Sequence, residues 1–132
     1  MVLNLRRVGC FWQPLGLMAV IFVLSSIPGK IRNPRLRFLT ELDPQWQNLL
    51  HVPLFGLLQF LWLRALVRSG MPRGKAILLG CAISLGYGVF DEWHQMFVPG
   101  RYASLTDMSL NLVGVALVAG IFWLWPARQQ CS

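Results

Sequence analysis

The sequence predicts an all-α fold, an integral membrane bundle of four transmembrane helices at about residues 8–27, 44–66, 76–98 and 105–125. Three observations predict it. Charged residues make up 13% of the 132-residue chain, whereas roughly 25% is usual in soluble domains. The mean hydropathy of +0.53 excludes a disordered chain, because disorder needs low hydrophobicity. Long charge-free stretches alternate with short linkers, without an internal repeat or a second domain, so residues 1–132 are predicted to form one domain.

The first, second and fourth spans each rest on a charge-free stretch of about 20 residues. These stretches are residues 8–29, 44–63 and 108–127. At ~1.5 Å per residue, a helix of this length crosses a hydrocarbon core ~30 Å thick. In the second span Asp43 is the predicted N-cap and Pro44 the first helical residue, a pairing that is favoured at helix starts. Pro53 is expected to kink this helix.

The third span is long enough to cross the membrane only if it includes charged residues. Its charge-free part, residues 76–90, covers only ~22 Å as a helix. The helix must therefore continue through Asp91 and Glu92 and stop at Pro99. Because acids inside a membrane are costly and mark functional sites, this end of the third helix is the first place to look for function.

Basic residues outnumber acidic residues by 12 to 5, which suits nucleic acid, an anionic membrane surface or loops that flank membrane spans. Seven Lys and Arg residues flank the predicted spans on one side and five on the other. The more positive side is usually cytoplasmic, so both termini are predicted there. A charge divided between two faces argues against binding of nucleic acid. A cleaved signal peptide is an alternative for the first span, but no small-x-small cleavage site follows it.

Polar residues of three helices are predicted to lie at one depth. His51 and Asn111 each lie seven residues inside the start of a helix, and Glu92 lies seven residues before the end of one. Seven residues are ~10 Å of helix, and alternating helix directions put these three ends on the same side of the membrane. Three further polar residues lie at or above this level: Gln95, Arg101 and Asp107. The sequence thus predicts an outward-facing polar pocket, or a buried network, between the last three helices.

Helical spacing turns these residues toward neighbouring helices. A stripe of small residues recurs every four positions and leads to the acid of the third helix: Gly80, Ser84, Gly88 and Glu92. Small residues at this spacing let helices approach closely. Matching faces are predicted on the fourth helix for Asp107, Asn111 and Gly114, and on the second for His51, Phe55 and Gln59.

Most of these residues also have a purely structural interpretation. Asp107 follows Ser104 by three positions, the spacing of a capping box that fixes a helix start. Asn111 would form hydrogen bonds between helices, and Arg101 would neutralise Glu92 or Asp107.

Asp91 and His94 are the polar residues of the third helix closest to the interface, and they are expected to be solvated. Glu92 and His94 lie on different faces of the helix, unlike the paired histidines of an HExxH zinc site. The three cysteines lack the spacing of a metal or redox site. No metal site and no cofactor are therefore expected.

The end of the third helix and the start of the fourth carry a specific motif. Residues 92–107 read EWHQMFVPGRYASLTD, and Asn111 and Gly114 follow. This resembles the VanZ-like family signature, E-x-x-Q-x-F-x-P-x-R-x-x-S-x-x-D-x-x-x-N-x-x-G, at every fixed position. His51 stands where that family has a histidine in its second helix. The resemblance covers about residues 11–123, with one departure: Asn48 stands where the family often has a lysine.

The resemblance implies a small multi-pass protein of the bacterial inner membrane, in contact with membrane lipids. It links the chain to glycopeptide resistance, because the founding member is associated with resistance to teicoplanin. It brings no catalytic residues with it, so whether the chain is an enzyme stays open.

Our first functional hypothesis is a cell-envelope protein that binds the polar part of a lipid-linked precursor or a glycopeptide in the outward pocket. Arg101 would pair with an anionic group, and Glu92 and Asp107 would orient Arg101 or accept hydrogen bonds. The remaining candidates, His51, Gln95 and Asn111, would supply further hydrogen bonds.

Three alternatives remain. One is a membrane enzyme that acts on a lipid-linked substrate, with His51 or Glu92 as general base. Another is a small proton-coupled transporter with Glu92 as the proton carrier. The third is a structural bundle in which the polar layer only fixes the packing.

Overall fold

The computed structural model describes residues 9–29 and 48–125 of the chain. Within these ranges the protein is all-α, with four helices and no strand: α1 Trp12–Ser25, α2 His51–Arg68, α3 Arg73–Gln95 and α4 Leu105–Leu124. The predicted fold class is confirmed. The predicted helix start at Asp43 and Pro44 lies outside the described residues.

Two of the four helices, α3 and α4, are long and apolar enough to cross a membrane. The apolar helix α1 has 14 residues, which reach ~21 Å, and it ends two residues earlier than predicted. The hydroxyls of Ser25 and Ser26 both donate to the carbonyl of Phe22, at 3.1 and 2.7 Å. Both bonds go to this one carbonyl in the last turn of the helix, and Pro28 follows soon after.

The start of α2 differs from the prediction at Pro53. A turn at Leu50 separates two preceding helical residues from the helix proper, and the first hydrogen bond of α2 runs from the Leu54 N–H to the Leu50 carbonyl at 3.1 Å. Pro53 therefore lies in the first turn, where its missing N–H leaves no bond unmade. Leu50 itself has helical backbone angles, φ −65° and ψ −20°, so α2 begins at a turn in a locally helical backbone.

Helices α2 and α4 form the centre of the bundle. Their backbones touch where Gly114 faces Val52 and Gly56, because a Cβ atom on Gly114 would overlap the Val52 carbonyl oxygen. Helix α3 packs on both, and α1 packs more lightly on α2 and α3. Close approach of this kind is how small residues join helices where no water drives association.

The stripe of small residues on α3 faces this pair, as its spacing predicted. Gly80, Ser84 and Gly88 are buried. A Cβ atom on Gly88 would stand 3.1 Å from the side-chain nitrogen Nδ2 of Asn111. Helix α3 therefore lies close to α4 one turn before Glu92. This approach places the acid of α3 against the polar residues of α4.

Candidate functional site

Three ionisable side chains from three different helices meet at one end of the bundle. His51 opens α2, Glu92 lies near the end of α3, and Asp107 lies in the first turn of α4. One ligand atom from each lies within 4.8 Å of the ligand atoms of the other two. The carboxylates are 3% and 7% exposed, and the imidazole is half-buried. We call these residues the acid–histidine cluster.

Asn111, one turn along α4 from Asp107, orients the histidine. Its carboxamide Oδ1 lies 2.9 Å from His51 Nδ1. A carboxamide oxygen only accepts hydrogen bonds, so Nδ1 carries a proton and donates it. In a neutral ring Nε2 then keeps its lone pair. Asn111 is 2% exposed, and its Nδ2 group has no hydrogen-bond partner among the described residues.

Glu92 is held by the start of α4. The backbone N–H of Ser104, the N-cap residue, donates to Glu92 Oε2 at 2.8 Å. The Ser104 hydroxyl accepts from the Asp107 N–H at 3.4 Å, so the predicted serine cap is confirmed. In a capping box the acid three residues on would also accept from the Ser104 N–H. Here the acceptor is Glu92, which belongs to α3 and not to α4.

The other oxygen of the same carboxylate has no partner. Glu92 Oε1 is fully buried and accepts no hydrogen bond from any described residue. Buried polar atoms are nearly always satisfied in native proteins, and each exception calls for a reason. The cluster therefore contains two such atoms, Glu92 Oε1 as an acceptor and Asn111 Nδ2 as a donor.

Arg101 forms hydrogen bonds that were not expected, and its charge also acts on Asp107, one of the two acids that it was expected to neutralise. Its Nε donates to the Ile27 carbonyl at 2.9 Å, and its Nη2 reaches the Leu24 carbonyl at 3.5 Å. Beside it, the Gly29 N–H donates to the Pro99 carbonyl at 3.1 Å. Arg101 thus joins the end of α1 to the loop between α3 and α4, and it forms no ion pair with Glu92 in the described chain. A guanidinium has five N–H donors, so it keeps donors beyond these two bonds.

The expectation of solvated side chains was wrong for Asp91, whereas His94 is half-buried. Asp91 is 2% exposed, and its Oδ2 accepts from the Nε2 of Gln95, one turn away on α3, at 3.0 Å. His94 packs between helices, with its ring 4.4 Å from that of Phe22 on α1. The prediction placed both residues near the interface, whereas Phe22 of α1 contacts His94 on this part of α3.

Gln95 is buried as well, but its described hydrogen bond goes to its own helix and not to the cluster. Of the six candidates, the structure therefore brings together His51, Glu92, Asp107 and Asn111. It places Arg101 beside them at the end of α1.

A second polar contact lies deeper in the bundle. The hydroxyl of Ser84 donates to Gln59 Oε1 at 2.9 Å, and Gln59 Nε2 lies 3.3 Å from the sulfur of Cys81. Spacing predicted that Gln59 and Ser84 face inward, but it gave no sign that they meet. These bonds satisfy a buried amide and join α2 to α3.

The comparison with known families decides the assignment. The model of the VanZ/LLP1 family matches residues 11–126, which is most of the 132-residue chain. The chain belongs to the VanZ/LLP1 family. No curated protein and no solved structure shows a significant match. Membership of the VanZ/LLP1 family, together with the two helices that are long enough to span, indicates a membrane protein.

Proposed function

We propose that this VanZ/LLP1 protein is a multi-pass protein of the bacterial cytoplasmic membrane that binds the polar part of a lipid-linked cell-envelope molecule at the acid–histidine cluster. The observation that carries the proposal is the pair of unsatisfied buried atoms, Glu92 Oε1 and Asn111 Nδ2. Leaving such atoms without partners costs stability, and a site that is satisfied only by its ligand explains that cost.

The two atoms define the chemistry of the bound group. Glu92 Oε1 needs an N–H or O–H donor, and Asn111 Nδ2 needs an acceptor. Amide groups and sugar hydroxyls offer both. A bare phosphate at neutral pH is mainly an acceptor, and the carboxylates of Glu92 and Asp107 would repel it. The carbohydrate or peptide part of a cell-wall precursor therefore fits best, with any phosphate directed toward Arg101.

An apolar groove supports a lipid-linked ligand over a water-soluble one. It has a volume of about 650 Å³ and runs between α2 and α4, lined among others by Val52, Gly56, Phe60, Leu117, Ile121 and Trp125. It begins at the residue that follows His51. A groove of this size and apolar lining suits an acyl or isoprenoid chain. Because Val52 lines it, the groove lies next to the His51 end of the cluster. A glycopeptide without an acyl chain has nothing to place there.

Binding can be measured with the full-length protein in detergent micelles by native mass spectrometry. The probe is a polyprenyl-diphosphate-linked muramyl peptide, and a glycopeptide without an acyl chain serves as the water-soluble comparison. We expect the probe to bind and Glu92→Gln to weaken binding at least tenfold. Glutamine has one acceptor oxygen, which the Ser104 N–H occupies, so an NH2 donor would replace the free acceptor Oε1. The matched control is Asp91→Asn, which changes an equally buried acid outside the cluster whose Oδ1 also lacks a partner among the described residues. Equal affinity of Glu92→Gln and wild type would contradict the proposed site.

A membrane enzyme is the second candidate, and the His51–Asn111 hydrogen bond favours it. That bond leaves His51 Nε2 with its lone pair, as a general base requires. The experiment is incubation of the same lipid-linked probe with the protein, followed by mass analysis of the recovered lipid. A product that disappears in His51→Gln would support an enzyme, whereas recovery of unchanged lipid after binding would remove this candidate.

A further inference from the structure

We propose that the acid–histidine cluster is a binding site for one divalent transition-metal ion of the Zn²⁺ class. His51, Glu92 and Asp107 each offer a ligand atom, and these atoms lie within 4.8 Å of one another. Because the three residues come from α2, α3 and α4, no short sequence motif contains all of them. The inference does not depend on the proposed envelope ligand.

The separation of the ligand atoms is close to that of an occupied site. Metal–ligand bonds of about 2.0–2.2 Å place two ligands of a tetrahedral zinc ion ~3.4 Å apart. The ligand atoms here would have to approach by about 1.4 Å at most. Glu and His side chains make such shifts by small rotations about their own bonds, so the helices need not move.

The donor set selects the class of metal. Ca²⁺ and Mg²⁺ prefer sites made of oxygen ligands alone. One imidazole nitrogen with two carboxylates suits Zn²⁺ and its first-row neighbours instead. A zinc ion with three protein ligands keeps an open position for water or substrate. With the metal bound, Glu92 would act on the envelope ligand through this open position and not by a direct hydrogen bond from Oε1, a step that does rest on the proposed function.

Glu92 supplies an observation that is independent of the clustering. Its side chain is 3% exposed, and Oε1 has no partner among the described residues. A carboxylate oxygen buried in this way is costly unless a cation or donor reaches it. A metal ion between Glu92, Asp107 and His51 provides that cation.

The residues around the cluster orient the ligands as supporting residues do in metal sites. Ligating histidines usually donate their second ring N–H to an acceptor, and ligating carboxylates are hydrogen-bonded in turn. His51 Nδ1 donates to Asn111 Oδ1 at 2.9 Å, and Glu92 Oε2 accepts from the Ser104 N–H at 2.8 Å. Each bond leaves one atom of the side chain, Nε2 or Oε1, for the metal.

The charge of the cluster points the same way. Two acids, Glu92 and Asp107, lie together away from water, and like charges in a low-dielectric region repel strongly. The nearby guanidinium of Arg101 directs two of its N–H groups to carbonyls of the α1 end. The charge of Arg101 acts on Asp107, so a divalent cation would chiefly offset the carboxylate of Glu92.

The test is metal content of the full-length protein. The protein is purified in detergent through a tag without histidine, dialysed against buffer with micromolar Zn²⁺, and analysed by inductively coupled plasma mass spectrometry. We expect about one zinc ion per wild-type chain, and a loss to the detergent blank in Glu92→Gln and in His51→Gln. The matched controls His94→Gln and Asp91→Asn should keep their zinc. These controls change the other histidine and the neighbouring buried acid.

Two outcomes overturn the proposal: wild type that retains no zinc, and zinc that persists in both Glu92→Gln and His51→Gln. Gel filtration and far-UV circular dichroism establish that each variant is folded. If one variant fails to fold, the wild-type result and the X-ray absorption spectrum of its zinc still decide. Nitrogen and oxygen neighbours support the site, whereas sulfur neighbours would assign the zinc to cysteine and refute it. The separate lipid-binding assay tests the proposed function in the absence of added metal.

Discussion

Replacing Gly114 by alanine should separate α2 from α4 and disturb the cluster that they carry. A Cβ atom at this position would overlap the Val52 carbonyl oxygen and stand 3.0 Å from the Gly56 nitrogen. Both are backbone atoms, so no side chain can rotate away. Overpacking of this kind typically lowers the free energy of unfolding by about 1–3 kcal/mol. The higher helix propensity of alanine offsets at most about 1 kcal/mol of this loss. We expect Gly114→Ala to lower the free energy of unfolding by about 2 kcal/mol.

Gly120 provides the matched control on the same helix. A Cβ atom there meets nothing within 4 Å, so Gly120→Ala should be neutral or stabilising by up to about 1 kcal/mol. The assay is unfolding of the detergent-solubilised protein in increasing SDS, followed by circular dichroism. The two variants should differ by about 2–3 kcal/mol. Equal stability would refute the close contact between α2 and α4. Because His51 precedes Val52, Gly114→Ala should also weaken the His51–Asn111 bond and reduce bound zinc.

Four other predictions concern the helix start, the loop, the topology and resistance. Ser104→Ala should lower the free energy of unfolding by about 0.5–1 kcal/mol, because the cap is lost. The control Ser109→Ala removes an exposed hydroxyl that bonds within α4 and should have little effect. Equal losses in the two variants would argue against the cap. Arg101→Gln should speed amide hydrogen exchange in the last turn of α1, and Arg64→Gln, on the exposed face of α2, should not. A green fluorescent protein fused to the C-terminus should fluoresce, since it folds in the cytoplasm; a dark fusion of normal abundance would reverse the predicted orientation. Expression of the chain should raise the teicoplanin concentration that inhibits growth, and Glu92→Gln at equal abundance should remove that increase.

The inward faces of the helices could be predicted because helical geometry is regular. Spacings of three and four residues placed Glu92, Asp107 and Asn111 on buried faces. Counting residues from the helix ends put His51 and Glu92 at a similar depth, and their ligand atoms do meet. Periodicity and rise per residue suffice for these statements, since they concern one helix at a time.

The partners of these residues could not be predicted in the same way. Arg101 was expected to neutralise Glu92 or Asp107, and its charge does act on Asp107. Its hydrogen bonds to carbonyls at the end of α1 were not expected. The Ser104 N–H was expected to bond within its own capping box, yet Glu92 accepts it. Both outcomes depend on how the loop after α3 folds back. A loop path is determined by tertiary contacts that a single sequence does not display.

The span lengths show a similar limit. Charge-free stretches measure how much chain can lie in lipid, but not how much of it is helical. Residues 8–29 are free of charge, whereas α1 covers only Trp12–Ser25. The two hydroxyls that bond the Phe22 carbonyl end the helix before the apolar stretch ends. Local hydrogen bonding by serine competes with helix continuation.

The bond between Ser104 and Glu92 also places a negative side chain at the N-terminus of α4. Peptide dipoles sum along a helix to roughly half a positive charge at that end, which attracts anions. Helix α4 thus acts on Glu92 as a fixed partial cation that contains no ionisable group and does not change with pH. Any ion or ligand that draws electron density from Glu92 weakens this attraction. Binding of an ion or ligand at the cluster should therefore change the stability of the first turn of α4. Amide hydrogen exchange in that turn would measure the change.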